Sequence, residues 1–440
     1  MNDCLSALYS DILREELIPA LGCTEPIAIA LAAARAREAL GTDPSAIVVR
    51  CSGNIIKNVK SVYVPNTGGL KGIPASALAG MVAGDSSKGM QVLAHLNDAD
   101  RRRIHELLSM NICRTEMFEG EEGLHIRVTM TACNVSTDGG KTANGSANGC
   151  DTALAEIIHT HTNFCRVERN GKVLFHKDCN SKDYTSVLTD RSVLTIAGIY
   201  EFAKTADIGP LEELLDLQIS DNTAIAKEGL ANKYGLNVGS AIKEVYGDSL
   251  WANIRASAAA GSDARMGGCS LPVVINSGSG NQGLTTSLPV ITYARHCGAD
   301  KETLYRAMVL SNLVTIRLKT GIGRLSAYCG AMSASAGSSA GITFLAGGTL
   351  AQIDAAITNT LACVSGIVCD GAKASCAAKI ATGLDAAIIG HHLAMKGKAY
   401  EPGCGIVKND VEQTVDAVGR LGRVGMRETD AEILRIMLDK

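Results

Sequence analysis

Apolar residues near the beginning of the chain recur at intervals of three and four positions: Leu5, Leu8, Tyr9, Ile12 and Leu13. This spacing places them on one face of a helix and predicts an amphipathic helix. The same segment has acidic residues where a signal peptide has basic ones, and it lacks a long apolar core. We therefore expect a cytoplasmic protein whose first element is a helix.

Strand and helix patterns follow one another between Pro19 and about residue 190. A helix is predicted from about Glu25 to Leu40, because Gly41 is a typical C-terminal stop. The other predicted elements are strands at 46–52, 61–64 and 124–132, helices in PASALAGMVAG and ADRRRIHELLSM, and a hairpin at 163–177 that turns at Asn170-Gly171.

From about Thr189 helical patterns separated by glycine-rich loops continue to the end of the chain. With 440 residues the chain is long enough for more than one core. The sequence therefore predicts an α+β protein. A mixed α/β domain would occupy residues 1–190, and a larger, mostly α-helical domain residues 191–440.

Residues 325–353 carry no charged side chain, which is long enough for a membrane span. Most of them are glycine, alanine, serine or threonine, far less apolar than a membrane helix. We expect a buried helix pair inside the helical domain, and no membrane association.

The formal net charge is -3, without a basic stripe, so nothing favours nucleic-acid binding. There are 15 cysteines. In a cytoplasmic chain we expect them to be reduced, most of them as small core residues and not as a disulfide framework.

The first candidate for chemistry is the segment LGCTEP. Thr24 is a good N-cap and Pro26 is tolerated in the first turn, so Cys23 lies at the positive end of a helix. That position lowers the pKa of a thiol. Cys23 is then either a reactive thiolate, usable as acid or base, or a buried cysteine beside an ordinary cap.

The second candidate is NSGSGNQG, where three glycines lie among hydroxyl and amide side chains. Its exposed amides can form a nest for an anion such as a substrate carboxylate, although an ordinary glycine-rich turn also fits. A P-loop is excluded because GxxxxGK[ST] is absent. SGN (52–54) and PNTGG (65–69) are similar, weaker loops.

The third candidate is the set Cys329, Cys363, Cys369 and Cys376. Zinc-type CxxC pairs and the ferredoxin CxxCxxC run are absent, so the spacing alone also fits cysteines that fill a helical core. Nearby glycines leave room for a bulky inorganic group. His159 and His161, predicted on one side of a strand, fit a polar cluster better than a metal pair.

The motifs GCTEP, SDARMGG, NSGSGNQG, RLSAYC and SGIVCDGAKASC occur in this order over nearly the whole chain. Together they resemble the L-cysteine desulfidase family, also labelled serine dehydratase subunit alpha-like, which is related to the iron–sulfur L-serine dehydratases. The resemblance implies an oxygen-sensitive [4Fe-4S] cluster and a reaction without pyridoxal phosphate. L-cysteine, a small amino-acid substrate, would yield pyruvate, ammonia and hydrogen sulfide.

Carried onto this sequence, the resemblance implies Cys329, Cys369 and Cys376 as cluster ligands and Cys23 as catalytic acid/base. Cys363 is not required by the family pattern. An iron without a fourth cysteine would bind substrate as a Lewis acid. We expect substrate-binding residues in the small polar loops: Thr24, Glu25, Asn54, Asn66, Thr67, Ser277, Gly278, Ser279, Gly280, Asn281 and Gln282.

Two other functions are compatible with the sequence. L-serine dehydration would use the same cluster, but the related serine enzymes generally have a serine- and histidine-rich motif where this chain has GCTEP. Cys23 therefore favours cysteine. A non-catalytic iron–sulfur sensor would need a partner surface or a DNA-binding element, and no basic helix-turn-helix is visible. A homodimer is compatible with the sequence.

Overall fold

The computed structural model describes residues 3–119, 123–133, 149–179 and 188–439. The chain forms two compact units: Leu21–Tyr184, called here the sheet unit, and Met1–Ala20 with Thr185–Lys440, called the helical unit. The sequence assigned the first twenty residues to the N-terminal domain, whereas their contacts place them with the C-terminal helices. The division at residue 190 otherwise stays a prediction, and the α+β class is confirmed.

The chain begins with helix α1 (Asp3–Glu16) and strand β1 (Pro19–Leu21). The face of α1 predicted from the apolar spacing is partly confirmed, since Tyr9, Ile12 and Leu13 are fully buried. The remaining elements of the sheet unit are α2 (Thr24–Leu40), β2 (Ala46–Cys51), α3 (Gly53–Val59), α4 (Gly72–Ala83), α5 (Asp98–Ser109), β3 (Cys113–Met117), β4 (His125–Cys133), β5 (Cys150–Ile158), β6 (Phe164–Arg169) and β7 (Lys172–His176).

The six strands β2 to β7 form one sheet in the order β3-β2-β4-β5-β6-β7. Only β2 and β3 run parallel; the other neighbours are antiparallel. Helix α2 lies against β4, β5 and β6 and is buried almost throughout. Helix α4 approaches it closely at Gly80, where a Cβ would lie 2.0 Å from the Ala30 carbonyl oxygen.

The predicted hairpin is confirmed, with Asn170 and Gly171 both at positive φ, as a type I′ turn requires. The strand predicted at 61–64 is wrong: Tyr63 makes only an isolated bridge to Lys71, and the apolar residues around it are buried in a turn. The histidines of HTHTN do not share a strand either. Strand β5 ends at Ile158, and His159 has φ 71°.

The helical unit continues with α6 (Ile196–Thr205), α7 (Glu212–Ala231), α8 (Val238–Tyr246), α9 (Leu250–Met266), β8 (Pro272–Val274), α10 (Gly280–Cys297), α11 (Lys301–Ile322), α12 (Gly330–Leu345), α13 (Leu350–Val364), α14 (Cys376–Met395), α15 (Val411–Arg420) and α16 (Arg427–Met437). Strand β8 pairs with β1.

Helix α12 lies at the centre of the helical unit, in contact with α10, α11, α13 and α14. Its small residues permit this, since a Cβ on Gly337 would lie 2.2 Å from Thr315 Oγ1. The uncharged stretch 325–353 thus contains α12 and the beginning of α13. This agrees with the predicted pair of buried helices. Within the described ranges no helix is long and apolar enough to cross a membrane.

The expectation that the cysteines are all reduced is wrong for four of them. Cys133 and Cys150 lie directly opposite each other on the antiparallel strands β4 and β5 and form a disulfide, and Cys165 is bonded to Cys179. Sheet register brings the first pair together, which spacing along the chain does not reveal. The other eleven cysteines are free thiols.

Candidate functional site

Cys329 and Cys369 lie on two loops of the helical unit that pair with each other. The Cys329 amide donates to the Ile367 carbonyl (3.2 Å) and the Cys369 amide to the Ala327 carbonyl (2.6 Å), with Tyr328 and Val368 bridged between them. Since the two loops form a short antiparallel ladder, cysteines 40 positions apart in the sequence become neighbours.

Cys376 joins these two thiols at the beginning of α14. Its Sγ donates to the Gly371 carbonyl (3.8 Å). Burial, together with the charges of Cys369 and Cys376, raises the pKa of Cys329 to about 12. Burial, with the charge of Cys369, also raises the pKa of Cys376. Each thiol therefore lies within electrostatic reach of the other two.

Basic side chains surround this group of thiols. Lys379 Nζ donates to the Val368 carbonyl (2.9 Å) and pairs with Asp370. Lys319 is buried and donates to the Arg324 carbonyl (3.3 Å). Burial lowers the pKa of Lys319 to about 8, although the charges of Cys369 and Cys329 oppose this. The charge of Lys379 thus lowers the pKa of Cys329 and Cys376, against the larger effect of burial.

Three thiols are donors of the kind that hold an iron–sulfur cluster. No three His, Cys, Asp or Glu side chains in the described part of the chain are arranged to hold one ion. A cubane is larger than an ion and holds its thiolate ligands farther apart, at separate corners. Cys329 caps α12 and Cys376 begins α14, so two positive helix ends meet thiolates there.

The predicted anion loop has a defined shape. Ser277 and Gly278 both have positive φ and form a tight turn, closed by paired hydrogen bonds between Asn276 and Ser279. Ser279 is the N-cap of α10, and Gly280, Asn281 and Gln282 form its first turn, where amides have no intrahelical acceptor. Asn276, Ser277, Gly278 and Ser279 thus form the turn and the cap. The amides that could bind an anion belong to the first turn of α10.

Gln282 links this loop to the thiols. A Cβ on Gly330 would lie 2.7 Å from Gln282 Cδ, so the side chain rests against the residue that follows Cys329. Gln282 Oε1 is buried and, among the described atoms, has no hydrogen-bond partner. The structure therefore brings together the predicted loop and one predicted cysteine ligand.

Sequence patterns did not single out Arg265, although it lies in the motif SDARMGG. It is 2% exposed, and a Cβ on Gly280 would lie 2.2 Å from its Nε. Its charge lowers the pKa of Cys376, against the larger effect of burial. An arginine in a helix otherwise rich in alanine, glycine and serine was the available signal.

Cys23 lies in the sheet unit and is the N-cap of α2. The expectation that Thr24 caps this helix is wrong: Thr24 is its first residue, and its hydroxyl donates to Glu25 Oε2 (3.1 Å). The Cys23 thiol donates to the same oxygen (3.1 Å), and Asn58 Nδ2 donates to Glu25 Oε1 (2.9 Å). The buried carboxylate of Glu25 therefore fixes the orientation of the Cys23 thiol.

The remaining predicted residues of the sheet unit lie in two places. Asn54 is buried in the first turn of α3, one turn before Asn58. Asn66 has φ 62° and donates to the Leu93 carbonyl (2.9 Å), while the Thr67 hydroxyl donates to the Val64 carbonyl (2.8 Å). Thr67 thus holds its own loop in shape, and Asn66 ties that loop to Leu93, 27 positions later. Whether any of the three contacts a substrate stays a prediction.

The environment of Cys363 differs from that of the three candidate ligands. It is exposed at the end of α13, with its Sγ 3.8 Å from the Tyr400 hydroxyl. Its exposure and its contact with Tyr400 distinguish Cys363 from the buried Cys329.

The sequence profile described as serine dehydratase alpha chain matches residues 87–435, more than half of this chain. A UPF0597 protein of Lachnoclostridium phytofermentans is 50% identical over 429 residues, covering 98% of this chain and 99% of the relative. A UPF0597 protein of Treponema denticola is 45% identical over 435 residues, covering 98% and 97%. Neither name specifies a substrate. On this similarity the chain belongs to the serine dehydratase alpha-chain family.

Proposed function

We propose that this protein is a pyridoxal-phosphate-independent lyase that converts L-cysteine to pyruvate, ammonia and hydrogen sulfide with a [4Fe-4S] cluster. The observation that carries the proposal is the group of three mutually interacting thiols, Cys329, Cys369 and Cys376, at two helix N-termini among basic side chains. Family membership supports a lyase or dehydratase of the iron–sulfur type.

Cys329, Cys369 and Cys376 would hold the cluster. When bound, it supplies a Lewis-acidic iron that stabilises negative charge on a substrate heteroatom. The helix ends at Cys329 and Cys376, together with Lys319 and Lys379, offset the negative charge of the thiolates.

Cys23 is the proposed acid/base. Its thiol donates to Glu25, so this carboxylate can take the thiol proton and leave a thiolate that removes the α-proton of the substrate. The C–H electron pair then forms the Cα–Cβ double bond as sulfide departs. The aminoacrylate tautomerises, and water hydrolyses it to pyruvate and ammonia. The first turn of α10 would bind the carboxylate.

L-serine is the second candidate substrate, and the name of the matching family favours it. The same residues would then release hydroxide, which departs as water. The sequence feature that separates the two substrates is Cys23 in GCTEP, and it supports L-cysteine.

The test is an assay of protein reconstituted anaerobically with iron and sulfide, supplied with L-cysteine or L-serine. The proposal expects equal amounts of sulfide and pyruvate from L-cysteine, lost after exposure to air. Pyruvate from L-serine alone would make the protein a serine dehydratase. No product from either would contradict an enzymatic role with these substrates and favour a structural or sensory cluster.

A further inference from the structure

Arg265 is a buried cation whose charge is not matched by a nearby acid. It is the second-last residue of α9 and is 2% exposed. Within the described part of the chain it forms no ion pair, and its Nε has no hydrogen-bond partner. A buried charge without a partner is costly, so proteins rarely keep one without a use.

The acid nearest in sequence does not serve as its partner. Asp263 is two positions earlier, and residues two apart on a helix point to different sides. Its Oδ2 accepts from the Gly239 amide (3.1 Å). Burial raises the pKa of Asp263 to about 6, although the Gly239 amide opposes this. Asp263 therefore behaves as a group without a cation beside it.

The guanidinium faces the N-terminus of α10. A Cβ on Gly280 would lie 2.2 Å from Arg265 Nε and 2.7 Å from Cζ, so the guanidinium fills the place of a side chain at the first residue of this helix. The amides of that turn have no intrahelical acceptors. A buried Gln282 Oε1 without a described partner lies in the same turn.

Arg265 and the first turn of α10 also lie near the thiols. The charge of Arg265 reaches Cys376, and Gln282 rests against Gly330, next to Cys329. A guanidinium and a helix N-terminus together bind an anion through a fork of N–H donors, and the geometry of a carboxylate matches this fork.

We propose that Arg265 binds the α-carboxylate of the substrate, which makes the site selective for α-amino acids over their amides and amines. This inference rests on the proposed function, because the substrate atoms are those of the amino acid. A charge-assisted pair of hydrogen bonds of this kind changes an affinity by about 100-fold when it is removed.

The test is anaerobic calorimetry of the reconstituted protein with L-alanine and L-alaninamide, neither of which has a leaving group. Wild-type protein should prefer the acid over the amide by about 100-fold. Arg265→Gln should bind both with similar affinity, and Arg265→Lys, which keeps the charge, should retain part of the preference. Arg255→Gln is the matched control, since Arg255 lies on the same helix and pairs with Asp385; it should keep the full preference.

Three results would overturn the inference. They are a wild-type protein that binds acid and amide equally, an Arg265→Gln protein that keeps the preference, and an Arg265→Gln protein that loses iron and binds neither ligand. The last result would make Arg265 a counter-ion of the thiolates. If the preference depends on Arg265 but neither L-cysteine nor L-serine is turned over, the inference stands and the proposed function fails.

Discussion

Two sets of free thiols in the protein have contrasting surroundings. Cys51 and Cys113 lie on the parallel strands β2 and β3, and burial raises the pKa of Cys113 to about 12 and that of Cys51 as well. The group Cys329, Cys369 and Cys376 lies on irregular loops and helix ends, with Lys319 and Lys379 in electrostatic reach.

The difference teaches that burial alone does not identify ligands. Neither strand thiol has a cation among the causes of its pKa shift, and both lie on regular strands. The loop thiols combine irregular backbone with nearby positive charge, which favours the thiolate form that binds metal. The predictions below test this contrast.

The largest expected effect is the loss of the cluster. Cys376→Ser should abolish the brown colour and all turnover, because the cluster loses one of its three protein ligands. Cys113→Ser is the matched control: it should keep colour and activity and cost about 1–3 kcal/mol of stability for a buried hydroxyl. Visible absorbance and pyruvate release measure both, and equal iron loss in the two variants would remove the contrast.

The second-largest effect distinguishes Cys23, the proposed acid/base, from the three proposed cluster ligands. Cys23→Ala should retain the cluster but lower turnover about 100- to 10,000-fold, because only proton transfer is lost. Iron content and kcat are measured on the same preparation. A colourless Cys23→Ala protein would contradict the assignment, since Cys23 would then be a ligand or a folding residue.

The buried His391 is a further group whose charged form burial disfavours. His391 is 2.9 Å from Thr343 Oγ1, and burial, with the charge of His392, lowers its pKa to about 4. Its neutral form is favoured in the folded state. Stability is therefore fully present above about pH 6.5 and is lost as pH falls through about 4, by about 3 kcal/mol.

The measurement is urea unfolding followed by the fluorescence of Trp251, the single tryptophan, which contacts His392 edge-on. The difference in stability between pH 7 and pH 4 should shrink in His391→Gln. The exposed His296→Gln should leave it unchanged. An identical pH dependence in wild type and His391→Gln would show that another group is responsible.

The smallest effects concern two glycines beside the loop thiols. Gly330→Ala places a Cβ 2.7 Å from Gln282 Cδ and should cost about 1–3 kcal/mol and reduce activity. Gly366→Ala meets nothing within 4 Å and should change stability by no more than about 0.5 kcal/mol. Thermal unfolding and turnover compare them; equal effects would mean that Gln282 does not need its present position.

Sequence patterns predicted the fold class well where periodicity is strong, as in α1, α2 and the Asn170-Gly171 hairpin. They missed β3 and β5 and placed a strand at 61–64, because short apolar runs in turns and strands look alike. The Cys133–Cys150 disulfide depends on sheet register, and spacing cannot supply register.

For the candidate site, the sequence supplied the cysteines and the loop but not what surrounds them. Arg265 reaches the thiols from a helix distant in sequence, and Lys319 from the last turn of α11, so only tertiary packing shows their role. Asn66 and Thr67 stay predicted substrate contacts; the hydrogen bonds that the structure shows for their side chains go to the Leu93 and Val64 carbonyls.

The central claim is that the three loop thiols, and not the other buried cysteines, bind an iron–sulfur cluster. Its most direct test is the iron and acid-labile sulfide content of anaerobically reconstituted wild-type protein and of a triple variant with Cys329, Cys369 and Cys376 replaced by serine. The account predicts about four iron atoms and about four sulfides per wild-type chain and close to none in the variant. Equal contents in the two proteins would contradict it.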